Sequence, residues 1–289
     1  MKILLAGEVD DTWRRELRAA LPEADWDADA DSADVAVVAN PPPGSLAAAP
    51  RLRLIQSLWA GVDRLLGDAS LPPAVPLARM VDPVMNAAMA ETALWATLAL
   101  QRGFFTYARQ QRQGLWRVLP QRRADELQVL VLGQGQMGRA AAERLQQQGY
   151  RVAGWRSGVE LQPLLACSQI VINLLPLTPQ TSALLNAEFF AALPPGAAIV
   201  NLGRGGHVVD ADLLAALDSE HLQHAVLDVF QTEPLPPDHR YWCHPKLTLL
   251  PHAAALTDAR SAAAVVAANL RALRDGRSVQ HLVDRSRGY

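Results

Sequence analysis

Short apolar runs alternate along the chain with stretches whose apolar positions recur every three to four residues. Residues 3–6, 35–39 and 54–57 read as buried strands, since a run of consecutive apolar positions suits a strand covered on both faces. Residues 12–21, behind the cap candidate Asp11, read as a helix between the first two. Pro41, Pro42, Pro43 and Gly44 can continue neither element and mark a loop. A long helical pattern covers 87–109, followed by a polar, basic stretch at 110–123. A second series places strands at 129–132, 152–154, 170–173, 198–201, 225–228 and 248–250, with helices at 135–148 and 211–219 among them. A last helix covers 257–274 and stops before Gly276, a C-cap glycine. This strand–helix rhythm predicts an α/β protein with parallel sheets and helices on both faces.

Length and composition narrow the class without choosing a function. With 289 residues the chain holds two domains of ordinary size, and 50% hydrophobic with 19% charged residues suits a globular protein. The formal net charge is -2 and the basic residues are scattered, so no nucleic-acid or membrane partner is expected. The opening MKILLAG reads as a strand and not as a signal peptide, and the apolar stretch at 92–100 is too short to span a bilayer. Cys167 and Cys243 form neither a disulfide framework nor a zinc pattern, and both are expected to be buried, inert thiols of a cytoplasmic protein.

Chemistry first enters at VLVLGQGQMGRAAAERL, which sets Gly133, Gly135 and Gly138 between a strand and a helix. The first glycine permits a tight turn, the second lets a pyrophosphate approach the backbone, and the third allows close helix–strand packing. The N–H groups around Gln136 and Met137, with the positive end of the helix dipole, then face the phosphates. An acidic residue about twenty positions on normally accepts the adenosine ribose hydroxyls. Here RVAGWRSGVE reaches its first carboxylate only at Glu160, and Arg156 and Ser157 stand in the expected place. A guanidinium and a hydroxyl suit a 2′-phosphate, so NADP(H) is favoured over NAD(H).

Three further polar residues follow expected strand ends: Arg204 in NLGRGGH, Glu233 in LDVFQTEPLP and His252 in LLPHAAALT. Singly they read as a surface arginine, a turn residue and a structural histidine, and His207, His221, His224, His239, His244 and His281 are read as structural. No spacing suggests a metal site. Beside a nicotinamide, the three supply what hydride transfer to a 2-oxo acid needs. An arginine fork holds the carboxylate, a protonated histidine gives its proton to the carbonyl oxygen, and a carboxylate stabilises the imidazolium.

The combination of SLWAGVD, the glycine loop, INLLPLTPQT, NLGRG, LDVFQTEPLP, PHAAALT and the tail VDRSRGY resembles the D-isomer-specific 2-hydroxyacid dehydrogenase family, and within it the glyoxylate/hydroxypyruvate reductase A branch. The resemblance implies two Rossmann-like domains with parallel sheets and an active site in the cleft between them. It divides the chain into a discontinuous substrate-binding domain (1–90 and 258–289) and a dinucleotide-binding domain (91–257). It assigns Arg204 to substrate, His252 to general acid/base work and Glu233 to orienting that histidine. It also implies that Trp59, Ala60, Gly61 and Val62 offer backbone N–H groups to the substrate carboxylate, with Trp59 as a pocket wall. Leu175, Pro176, Thr181 and Leu202 would line the cofactor, and Asp228 would face the nicotinamide carboxamide. Pairing through the long helix near 87–110 would make a homodimer. One departure stands out: the connection from Gly154 to Leu161 is shorter than the family pattern, removing part of the adenosine-side wall.

The expected function is NADPH-dependent reduction of glyoxylate or hydroxypyruvate. The same chemistry on a larger 2-oxo acid is the alternative within the class, and a non-catalytic dinucleotide sensor is the alternative outside it. The presence of the arginine, glutamate and histidine weighs against the sensor, which needs no proton donor.

Overall fold

The computed structural model describes residues 1–289 and divides into two units, Met1–Met85 with Thr257–Tyr289, and Asn86–Leu256. Each unit is built on a parallel sheet.

In the first unit, β1 (Ile3–Gly7), β2 (Val35–Ala39), β3 (Leu54–Ser57) and β4 (Leu77–Ala78) pair in chain order. Strands β2 and β3 are buried along their whole length, as their uninterrupted apolar runs demand. Helix α1 (Asp11–Ala20) turns Trp13 and Leu17 inward, one helical turn apart. Its cap is Asp10 and not Asp11: the Asp10 carboxylate accepts from Trp13 N–H at 2.9 Å, which puts Asp11 inside the first turn. A single-turn helix, α2 (Asp63–Leu66), follows the loop after β3. The C-terminal helix of the chain packs beside α1, and its buried Asn269 donates to Gln56 at 2.8 Å, tying it to β3.

The long helical pattern becomes two helices, α3 (Pro83–Gln101) and α4 (Phe104–Arg112), broken at Gly103. Gly103 takes φ +69°, a left-handed conformation that ends the first helix and that apolar periodicity does not reveal.

The second unit carries β5 (Gln128–Leu132), α5 (Gln136–Gln147), β6 (Arg151–Trp155), α6 (Gln162–Leu165), β7 (Ile170–Asn173), α7 (Ala187–Ala191), β8 (Ala197–Asn201), α8 (Asp210–Asp218), β9 (Leu222–Leu227) and β10 (Leu247–Leu249). Its six strands lie in the order β10-β9-β8-β7-β5-β6. The chain runs from β5 outward to β6, then crosses back to β7 on the other side. The loops after β5 and β7 therefore diverge, leaving the crevice in which open α/β sheets bind ligands. Beyond β6 no further strand is added, and the shortened connection closes as a tight turn in which Trp155 Nε1–H donates to the Val159 carbonyl at 2.8 Å.

The chain ends in α9 (Ala259–Arg274), capped by Asp258 through Arg260 N–H and stopped by Gly276 at φ +67°. Both cysteines are exposed, contrary to the expectation of buried thiols. Cys167 follows the short helix α6 and Cys243 lies in a surface turn, where no sheet or second helix covers them.

Candidate active site

Two close approaches shape the glycine loop. Gly133 turns at φ +98°, and a Cβ there would press on the Leu174 carbonyl 2.6 Å away. A Cβ at Gly138 would overlap the Gly133 carbonyl, so α5 starts hard against the end of β5. Gly135, by contrast, faces open space. No side chain caps α5, so the N–H groups at Gln136 and Met137 are left for an anion. Arg156 and Ser157 are exposed just past the end of β6, and the Arg156 guanidinium has no partner within the chain. An uncapped helix N-terminus, an open glycine and an unengaged guanidinium fit a phosphorylated dinucleotide.

The loop after β7 binds itself together. Thr181 Oγ1–H donates to the Pro176 carbonyl at 2.7 Å and accepts from Thr178 N–H at 2.9 Å, while Leu175 is buried. Leu202, just past β8, is buried and bonded through its N–H to the Asn173 carbonyl at 3.1 Å. Pattern reading passed over Asn173 and Asn201 and read His207 as structural, and these three buried side chains position the neighbouring loops. Asn173 Nδ2 donates to Asn201 Oδ1 at 2.9 Å and to His207 Nδ1 at 2.8 Å, and its Oδ1 accepts from Leu175 N–H. His207 Nδ1 also accepts from Arg204 N–H at 3.3 Å. Two donors aimed at Nδ1 place the ring proton on Nε2, which donates to the Pro176 carbonyl at 3.2 Å. Asn201 Nδ2 holds the Arg204 carbonyl at 3.0 Å, so both backbone polar groups of Arg204 are clamped. The available signal is a polar residue ending each apolar run, IVIN and AAIVN, since a polar group so placed must find a partner.

Arg204 lies in extended conformation before a short 3₁₀ turn, with its Nη1 donating to the Gly203 carbonyl at 2.8 Å. The following Gly205 packs so closely on the Phe230 backbone that a Cβ would overlap it, joining the Arg204 loop to the loop that carries Glu233. Phe230 N–H donates to Glu233 Oε1 at 2.9 Å, and Glu233 Oε2 receives His252 Nδ1–H at 2.7 Å. His252 therefore presents Nε2, which has no partner in the chain, on a half-exposed ring.

His252 sits at φ +54°, unusual for a residue with a side chain. Asp228 holds it there: the Asp228 carbonyl accepts from His252 N–H at 2.8 Å. The Asp228 carboxylate receives Ala253 N–H at 2.7 Å and Ala254 N–H at 3.1 Å. Burial pushes the Asp228 carboxyl above the usual carboxylate range, partly offset by those two N–H groups.

Trp59, Ala60, Gly61 and Val62 follow β3 in the first unit. Trp59 N–H is consumed by the Ser57 hydroxyl at 3.0 Å, whereas the N–H groups of Ala60, Gly61 and Val62 have no partner in the chain. The indole of Trp59 meets Trp13 edge to face at 6.0 Å, and its buried Nε1–H is unpaired.

Residues 94–254 match the family model described as D-isomer specific 2-hydroxyacid dehydrogenase, NAD binding domain. The glyoxylate/hydroxypyruvate reductase A of Serratia proteamaculans is 39% identical, with 96% of each chain covered. That of Salmonella paratyphi B is 40% identical over the same shares. Among solved structures, a D-isomer specific 2-hydroxyacid dehydrogenase from Xanthobacter autotrophicus Py2, in complex with NADPH and MES, superposes with a TM-score of 0.95 at 37% identity. It covers 100% of this chain and 99% of its own. The NADPH-dependent glyoxylate/hydroxypyruvate reductase of Sinorhizobium meliloti, in complex with NADP and sulfate, gives 0.90 at 32% identity with the same coverage.

Proposed function

The chain belongs to the D-isomer specific 2-hydroxyacid dehydrogenase family, and on that footing we propose that it reduces glyoxylate and hydroxypyruvate to the 2-hydroxy acids with NADPH. The observation that carries this reading is the His252–Glu233 pair at 2.7 Å, with His252 Nε2 left unpartnered. A sensor has no use for a proton donor held in this way. The relatives named above support the choice of substrate and cofactor.

When bound, the reduced nicotinamide supplies a hydride to the carbonyl carbon; the rest falls to the chain. The Arg204 guanidinium pairs with the substrate carboxylate and polarises the carbonyl. The N–H groups of Ala60, Gly61 and Val62, unpartnered within the first unit, are donors of the kind a carboxylate accepts. As the carbonyl π electrons move onto oxygen, the proton on His252 Nε2 passes to it, while Glu233 holds the ring through Nδ1–H. Gln136 and Met137 N–H groups serve the pyrophosphate, Arg156 and Ser157 the 2′-phosphate. Leu175, Pro176, Thr181 and Leu202 line the nicotinamide side. Asp228 acts chiefly by setting the His252 loop, with the carboxamide contact subordinate.

The working form is a cytoplasmic homodimer. Trp95, Phe104, Leu115, Trp116 and Val118 are exposed along and beyond α3, with Trp116 at 99% exposure, a string of apolar surface suited to a second copy. Two exposed, unpaired thiols suit a reducing compartment.

A panel of small and large 2-oxo acids against NADPH and NADH, read at 340 nm for wild type and His252→Ala, tests the proposal. Glyoxylate and hydroxypyruvate with NADPH are expected to lead, and His252→Ala to lose about 10²–10⁴-fold in turnover. Near-normal reduction by the variant would remove His252 from the chemistry, and a preference for bulky 2-oxo acids would replace the substrate.

A further inference from the structure

The side chain between the first two loop glycines, Gln134, folds back over β6. A Cβ added to Gly154 would overlap the Gln134 carboxamide, so the absence of a side chain at 154 seats this amide flat on the strand. Its Nε2 donates to the carbonyls of Val131 at 3.2 Å and Gly133 at 3.4 Å, which fixes the amide's orientation and leaves Oε1 as an unengaged acceptor. Trp155 at the end of β6 is buried, while Gly154 before it and Arg156 after it are exposed. The Gln134 amide thus covers β6 two residues before Arg156, whose exposed side chain follows just past the strand end.

We propose that Gln134 is a specificity-setting residue of the adenosine subsite, its Oε1 accepting a ribose hydroxyl beside the phosphate that Arg156 binds. In NAD enzymes a carboxylate accepts the ribose hydroxyls and its charge repels a 2′-phosphate. A carboxamide keeps the acceptor and removes the repulsion. Gly154 is the complementary part of the device, because any larger residue would evict the amide. This rests on the NADPH reading above.

The test is equilibrium binding, followed by nicotinamide fluorescence, of NADPH and NADH to wild type, Gln134→Glu, Gln134→Ala, Gly154→Ala and the double variant Gln134→Ala/Gly154→Ala. Melting of each preparation confirms the fold. Gln134→Glu keeps the shape and adds charge; it is expected to weaken NADPH by about tenfold or more while leaving NADH equal or tighter. Gln134→Ala is expected to weaken both cofactors by about 2–10-fold, the loss of one neutral hydrogen bond. Gly154→Ala should copy that effect by displacement, and the double variant should be no worse than Gln134→Ala alone. Equal effects of Gln134→Glu on both cofactors, changes under twofold in Gln134→Ala, or multiplying losses in the double variant would each overturn the proposal. Wild-type protein that binds NADH more tightly than NADPH would instead overturn the cofactor reading on which it rests.

Discussion

Asp228→Asn separates two roles for a buried carboxylate that lies next to the proton donor. Asp228 is 1% exposed and accepts Ala253 and Ala254 N–H at 2.7 and 3.1 Å. The isosteric amide keeps one acceptor and turns an NH₂ toward the other backbone donor. Losing one charge-assisted bond costs about 1.5–3 kcal/mol, and the orphaned N–H adds about 1–3 kcal/mol. Against this, the carboxylate's own burial penalty, visible as its raised pKa, disappears. A net destabilisation of about 2–3 kcal/mol is expected, read as a lower urea midpoint with unchanged m-value. The loosened turn lets His252 leave its left-handed conformation, and displacement of about 1 Å lowers kcat by roughly 10–100-fold. NADPH affinity should change little. Wild-type stability and kcat, together with a selective loss of NADPH binding, would refute the clamp and make Asp228 a cofactor ligand instead.

Arg156→Ala should weaken NADPH by about 1.5–3 kcal/mol and leave NADH unaffected in the same titration; parallel losses would sink the 2′-phosphate assignment. Gly205→Ala drives a methyl group into the Phe230 backbone, so a stability loss of about 1–3 kcal/mol and a fall in kcat are expected, and a wild-type melting curve would contradict the packing. His224, stacked on Phe105, is pushed down to about 4 by burial and then by Arg109 and His244. Below its unfolded value of 6.5 the unfolded chain takes up a proton that the folded chain refuses, so stability falls as pH drops from 6.5 toward 4, by about 3 kcal/mol in full. Denaturant midpoints across that window should flatten in His224→Gln; an unchanged slope would assign acid sensitivity elsewhere.

The strands and the glycine loop were legible in the sequence because they depend on local quantities. An uninterrupted apolar run such as VAVVA in β2 can only be buried on both faces, and the spacing Gly133–Gly135–Gly138 answers to contacts within one strand–turn–helix unit. The residue types needed for hydride transfer were also readable, since Arg204, Glu233 and His252 each follow an apolar run. The break at Gly103, the cap at Asp10 and the exposure of both cysteines were not, because backbone conformation and solvent contact leave little trace in composition.

What tertiary structure alone decided is which polar groups meet. His252 and Glu233 are 19 residues apart in sequence and 2.7 Å apart in space. Asn173 and His207 are 34 apart and bonded at 2.8 Å. Gln134 and Gly154 occupy one another's space only because β5 and β6 are neighbours in the sheet. Hydrophobic periodicity records which face of an element is buried, a property of each element by itself. Hydrogen-bond partnership depends on the angle and register between elements, which form only when the sheet closes around its core.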